Sequence, residues 1–157
     1  QRSLSESRRV KFSKWMFPLD SIRNWNRLYG NKGFRQYQCV VDRCAIGLIL
    51  GEIKRSNTGS MLAVIKSFGD IQSPGLLSFP RPGYTVALDF PFRGTETTDL
   101  FVRLDKIVSD VGGAIYPAKD AHMSEENFKS AYPAWERFLA LKDPGLESLF
   151  WQRVMGP

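Results

Sequence analysis

Histidine is nearly missing from this sequence: His122 stands alone, with two cysteines, Cys39 and Cys44, five positions apart. A structural zinc site takes about four such ligands at set spacings, so no zinc set can be drawn from these three residues. A Cys–His nucleophile pair finds no support either, because Cys39 falls on the packed face of a strand and nothing places His122 beside it. With so few cysteines, a reduced cytoplasmic setting is the expectation, either free or peripheral to the inner membrane. Long apolar runs are missing too. The longest, Cys44 to Leu50, is interrupted by Gly47 and falls far short of the roughly 18 residues that cross a bilayer. No internal repeat or low-complexity segment is present. The chain opens on Gln1, with neither a Met nor a charged and apolar leader, which is expected of a fragment or a processed chain.

What is present is the composition of a globular domain. Of 157 residues, 43% are hydrophobic and 24% charged, enough for one core within a soluble surface. The net charge of +6 permits a polyanionic partner. Much of that charge sits in Arg2, Arg8, Arg9, Lys11 and Lys14, an arrangement that suits a solvated arm or linker better than a binding groove.

Residues 1–13 read as extended. A helix is expected from Asp20 or Ser21 to Tyr29, with Ile22, Trp25 and Leu28 at helical spacing and Gly30 as its stop. Phe34 to Val41 reads as a strand. Its alternation puts Gln36 and Gln38 on one face and Tyr37, Cys39 and Val41 on the other. A helix follows over 42–56, then a strand over 61–67. Leu76 to Phe79 reads as a short strand, and Tyr84 to Phe90 as a main strand with Thr85, Ala87 and Asp89 facing away from its apolar side. A helix capped by Thr97 or Thr98 runs to Asp110, and a last strand spans Ala114 to Tyr116. Beyond it lie helical stretches over 124–131, 134–142 and 149–155.

From Phe34 to Tyr116 the order is strand, helix, strand, strand, helix, strand. This is the α+β, ferredoxin-like β-α-β-β-α-β pattern: an antiparallel sheet with its first and third strands central and both helices on one face. Gln36, Gln38, Thr85 and Ala87 then share the uncovered face. Alternation alone leaves that face open to three readings: a site, a partner interface, or a solvated surface. Three parts are expected: 1–30 as a basic lead-in with its helix, 31–116 as the sheet domain, and 117–157 as a helical tail. Phe128, Tyr132, Trp135, Phe138, Leu139, Phe150 and Trp151 give that tail more aromatic and apolar surface than it can bury by itself. Trp15, Phe17 and Trp25 raise the same difficulty, so a further domain or second chain is expected to cover them.

Several segments in order carry a family resemblance: 17–30, Gly33-Phe34-Arg35-Gln36-Tyr37-Gln38, Leu76-Leu77-Ser78-Phe79-Pro80, Gly83 to Phe90, and Tyr116-Pro117-Ala118-Lys119-Asp120. Together they resemble the C-terminal part of FAD-linked oxidases of the vanillyl-alcohol oxidase superfamily. The nearest in pattern are the decaprenylphosphoryl-ribose oxidases, with the sugar-lactone and alditol oxidases further off. The resemblance implies a substrate-binding, or cap, domain whose tail packs on an FAD-binding domain of the same polypeptide. It implies that Gln36, Gln38, Thr85, Ala87 and Tyr116 line the substrate pocket. Lys119, with Tyr116, would meet the cofactor, and Lys119 is the catalytic candidate: an ammonium there would stabilise negative charge on the reduced flavin. Where the decaprenylphosphoryl-ribose oxidases carry Asn and Cys on the third strand, this chain has Thr85 and Ala87. The Gly-rich segment that cradles the FAD pyrophosphate is absent from this chain, as is a histidine for covalent flavin, so the chain alone is expected to bind FAD weakly and to be inactive.

The function so implied is oxidation of an alcohol carbon of a sugar, alditol or lactone-type substrate by hydride transfer to flavin N5. No nucleic acid partner is expected. The competing reading is a ferredoxin-like RNA-binding or protein-interaction module, favoured by the charge and by Phe34 and Tyr37. Those two aromatics alternate to opposite faces, however, and the Lys/Arg-Gly-aromatic-Gly-aromatic signature of RNA-recognition motifs is missing. Self-association of the isolated chain is a further expectation, through the surface meant for the flavin domain.

Overall fold

Two long strands in the middle of a sheet set the architecture. In the computed structural model, which describes residues 9–119 and 122–156 with the backbone alone at 25 and 26, β1 (Phe34–Val41) pairs along its whole length with β3 (Gly83–Pro91). β2 (Leu62–Phe68) flanks β3, and the short β4 (Ala114–Ile115) flanks β1, so the order is β2-β3-β1-β4 with every neighbouring pair antiparallel. The first and third strands are therefore central, as the order of elements implied. Two glycines allow the strand ends to close on β1. A Cβ at Gly83, whose φ is 137°, would lie 2.8 Å from Val41 O, and one at Gly113 would lie 2.6 Å from Val40 O. Neither contact is tolerable, so both positions need a residue without a side chain.

Helix α1 (Phe12–Met16) belongs to the lead-in; α2 (Ile46–Arg55) and α3 (Thr95–Asp110) belong to the sheet. Leu100, Phe101, Leu104 and Val108 recur at helical spacing and are all buried, with Phe101 5.1 Å from the Tyr37 ring and 5.6 Å from the Phe90 ring. Tyr37, Cys39, Val86, Leu88 and Ile49 complete this core between helices and sheet. A buried carboxylate ties the two helices together. Glu52 of α2 accepts from Arg103 Nε of α3 at 2.7 Å and from Arg55 NH2 at 2.6 Å. Helix α3 starts at Thr95, ahead of the expected cap. Thr97 instead faces back to the strand, accepting from Arg93 N at 2.9 Å and donating to Pro91 O at 3.0 Å.

Four further local expectations fail. The helix expected up to Tyr29 is two 3-10 turns, Pro18–Ser21 and Trp25–Tyr29, separated at Asn24, whose left-handed φ of 56° breaks an i to i+4 ladder. A helical turn at Phe12–Met16 takes in the last two residues of the stretch 1–13 that was expected to be extended. The helix expected over 134–142 is shorter, Trp135–Leu139 (α5). Leu76 to Phe79 is not a strand. It crosses the sheet, and the Phe79 ring sits 6.0 Å from Phe68 at the end of β2 and 4.5 Å from Tyr116 just after β4. The face expected to be uncovered is thus roofed at one end.

The tail buries more of its own surface than expected. Ser124 caps α4 (Glu125–Ala131), its side chain accepting from Asn127 N, and Ser148 caps α6 (Leu149–Met155). Phe128, Tyr132, Trp151 and Val154 are buried, and Tyr132 Oη donates to Ile115 O of β4 at 2.6 Å. The lead-in differs, since Phe12 is 69% and Trp15 68% exposed. Arg2, Arg8, Asp120 and the Trp25 side chain, all named in the sequence reading, lie outside the described residues.

Candidate functional site

On the side of the sheet away from the helices, strand register assembles a row of polar groups. It sets Gln36 opposite Asp89, Gln38 opposite Ala87 and Val40 opposite Thr85, and β2 extends these rows with Leu62, Val64 and Lys66. Directly opposed residues point to the same face, so the four residues expected to come together do so. Gln36 Nε2 donates to Asp89 Oδ1 at 2.8 Å, and Gln38 Nε2 donates diagonally to Thr85 Oγ1 at 3.0 Å. Both glutamines are half-buried, whereas Thr85 and Asp89 are each 2% exposed. Among the described residues neither glutamine Oε1 accepts a hydrogen bond, and neither oxygen is sealed from solvent. The face therefore keeps its amide donors inside and turns its acceptors outward. The Thr85 hydroxyl is buried and already engaged, so it can shape the site only through Gln38.

Tyr116 joins this face through the backbone, its N–H donating to Gln38 O at 2.8 Å, and its ring stacks obliquely on Phe79. One 3-10 turn, Pro117–Lys119, then brings Lys119 N to Tyr116 O at 3.1 Å. Lys119 is exposed, and among the described residues it forms no ion pair or side-chain hydrogen bond. The turn that carries it lies beside β1.

No family model matches the chain. Over 134 residues, 83% of the chain, it is 38% identical to the decaprenylphosphoryl-beta-D-ribose oxidase of Mycolicibacterium smegmatis. The chain is homologous to the C-terminal part of that FAD-linked oxidase. A protein of Streptomyces coelicolor, described as an uncharacterized protein in the mprA 5' region, is 32% identical over 111 residues. The chain spans under a third of the length of these curated relatives, 28% of the first and 30% of the second.

Two residues of the face went unnamed among the sequence candidates: Asp89 and Tyr29. Tyr29 Oη donates to Asp89 Oδ2 at 3.2 Å, and the Tyr29 ring stacks on Phe34 at 4.3 Å. Burial first, then the Asp89 charge and its hydrogen bond, push the Tyr29 hydroxyl above its ordinary pKa, so it stays a donor. Alternation had already put Asp89 on the polar side of its strand. Its partnership with Gln36 depends on the β1–β3 register, which no short turn announces. On the helix side, burial and then the Asp105 charge push the Cys39 thiol up to about 12, which removes it as a nucleophile. His122 Nε2 lies 2.9 Å from Asp105 Oδ2 on that same side, joining α3 to the segment before α4.

Proposed function

We propose that this chain is the substrate-binding part of an FAD-dependent oxidoreductase that oxidises an alcohol carbon of a sugar, alditol or lactone-type substrate. The observation that carries the reading is the paired-amide face, with two outward acceptors next to the Tyr116–Lys119 turn, in a chain homologous to an FAD-linked oxidase. We read the β4-β1-β3-β2 order with its two helical crossovers as the ferredoxin-like cap.

The residues present suit one flank of FAD and not its whole. Lys119 offers an exposed cation and Tyr116 a half-buried ring, but no glycine-rich cradle for a pyrophosphate accompanies them. An FAD-binding domain of the same polypeptide would hold the rest. FAD, when bound, supplies the acceptor for the hydride leaving the alcohol carbon. Gln36 and Gln38 accept hydrogen bonds from substrate hydroxyls, with Ala87 leaving room between strands and Thr85 steadying Gln38. Lys119 places positive charge where negative charge develops, and its effect grows when the covering domain excludes water. Among the described residues no helix is long and apolar enough to cross a membrane.

The RNA-binding reading loses its aromatic platform. Tyr37 is 1% exposed and packed on Phe101, while Phe34 is stacked on Tyr29, so neither ring is offered to a base. FAD titration decides between the readings. Tight yellow binding is expected only when this chain is joined by the flavin-domain portion of its polypeptide. Salt-sensitive micromolar RNA binding without flavin would overturn the oxidase reading. In the flavin-loaded protein, Lys119→Ala is expected to slow flavin reduction by decaprenylphosphoryl-ribose by about 100-fold or more, the scale of losing one transition-state electrostatic contact. An unchanged reduction rate would remove Lys119 from the mechanism.

A further inference from the structure

The two amides on the face are held by chemically different partners, and the difference decides what each presents to a ligand. A hydroxyl such as Thr85 Oγ1 can donate or accept, so Gln38 is free to turn its amide either way against it. A carboxylate only accepts. Asp89 has both oxygens engaged by donors, Gln36 Nε2 at 2.8 Å on Oδ1 and Tyr29 Oη at 3.2 Å on Oδ2. Its backbone is held as well, with Asp89 N donating to Ser60 Oγ at 3.0 Å. Turning the Gln36 amide over would aim a carbonyl oxygen at a carboxylate that is 2% exposed, an uncompensated contact between two acceptors.

We propose that Asp89 is a positioning residue which locks Gln36 as an outward hydrogen-bond acceptor, so that this point of the site takes a ligand hydroxyl and rejects a ligand acceptor. Tyr29 is the second half of the device, because it claims the other carboxylate oxygen. This inference rests on the oxidase reading for the identity of the ligand, and on this chain's own geometry for the lock. It places a polyol's hydroxyl, not a phosphate or carboxylate, against Gln36.

The test exploits the asymmetry of asparagine. In Asp89→Asn the Tyr29 hydroxyl takes the single amide oxygen, leaving the asparagine NH2 to face Gln36. Gln36 must then turn its Oε1 inward and present its NH2 to the ligand. Adding Tyr29→Phe frees the asparagine to turn, which restores the original polarity of Gln36. In the flavin-loaded full-length protein, KM for decaprenylphosphoryl-ribose is expected to rise about tenfold or more in Asp89→Asn with kcat changed less. The double variant is expected to recover most of that loss. A merely structural role predicts the opposite, a double variant worse than the single one, and that result overturns the proposal.

Side-chain NMR of Gln36, assigned through Gln36→Glu, reads the lock without any ligand. Its NH2 protons are expected to be protected from exchange in the unmodified protein, exposed in Asp89→Asn, and protected again in the double variant. Unprotected Gln36 protons in the unmodified protein overturn the proposal, even if Asp89→Asn fails to fold. The protected pattern in a protein that oxidises no sugar, alditol or lactone-type alcohol supports the lock and counts against the oxidase reading instead.

Discussion

Glu52 shows how much one side chain can hold when both its oxygens are used. It is 8% exposed in α2, and its hydrogen bonds first to Arg103 and then to Arg55 hold its carboxyl below the usual carboxylate range, outweighing the opposing effect of burial. A depressed folded-state pKa means the unfolded chain binds the proton more readily. The stabilisation is therefore fully present above the unfolded value of about 4.3 and is lost as pH falls through the lower folded one. Both arginines are substantially exposed, 69% and 48% at the side chain, so the contribution is discounted for solvent screening. Glu52→Gln is expected to cost about 1 kcal/mol at pH 7 and nearly nothing at the acid end, read from urea unfolding at a series of pH values. A cost that does not fall with pH would place the effect in packing instead of charge.

At the scale of elements, the segment from Gly69 to Pro80 differs most from expectation. A run as apolar as Leu76 to Phe79 reads as a strand, yet it joins neither edge of the sheet, and its Phe79 is 5% exposed across the polar face. The ring fills the space between Phe68 and Tyr116, fixing the approach to Gln38 and to the Lys119 turn. Phe79→Ala is expected to destabilise the domain by about 3 kcal/mol, the usual cost of emptying a buried aromatic position. It should also raise proteolytic cleavage within 69–80 before global unfolding. A stability loss below about 1 kcal/mol would mean that the segment does not roof the face in solution.

For the whole molecule, apolar surface is unevenly distributed. The tail's Phe128, Tyr132 and Trp151 are buried against the sheet edge and one another, while the lead-in leaves Phe12, Trp15 and Phe17 more than half exposed. Such a cluster is costly in water and promotes association. The isolated chain is expected to show a mass in sedimentation that rises with concentration, and Trp15→Asp combined with Phe12→Asp should abolish the rise. An unchanged concentration dependence in that variant would move the sticky surface to the tail, where Leu141, Leu146 and Leu149 are exposed. Adding the flavin-binding domain proposed above should suppress self-association if the two contacts compete.

Periodicity along the chain determined the central strands and both sheet helices, because those features depend on local spacing and local hydrogen bonds. The two-residue alternation on β1 and β3 also placed Gln36, Gln38, Thr85 and Ala87 on one face. What only the tertiary structure decided is who meets whom on it. The β1–β3 register sets Asp89 against Gln36, and a loop from the far edge brings Phe79 over Tyr116. The turn before β1 brings Tyr29 to Asp89. These contacts join residues far apart in sequence through connections of no fixed length, so no local pattern encodes them, and they decide which atoms of the site face a ligand.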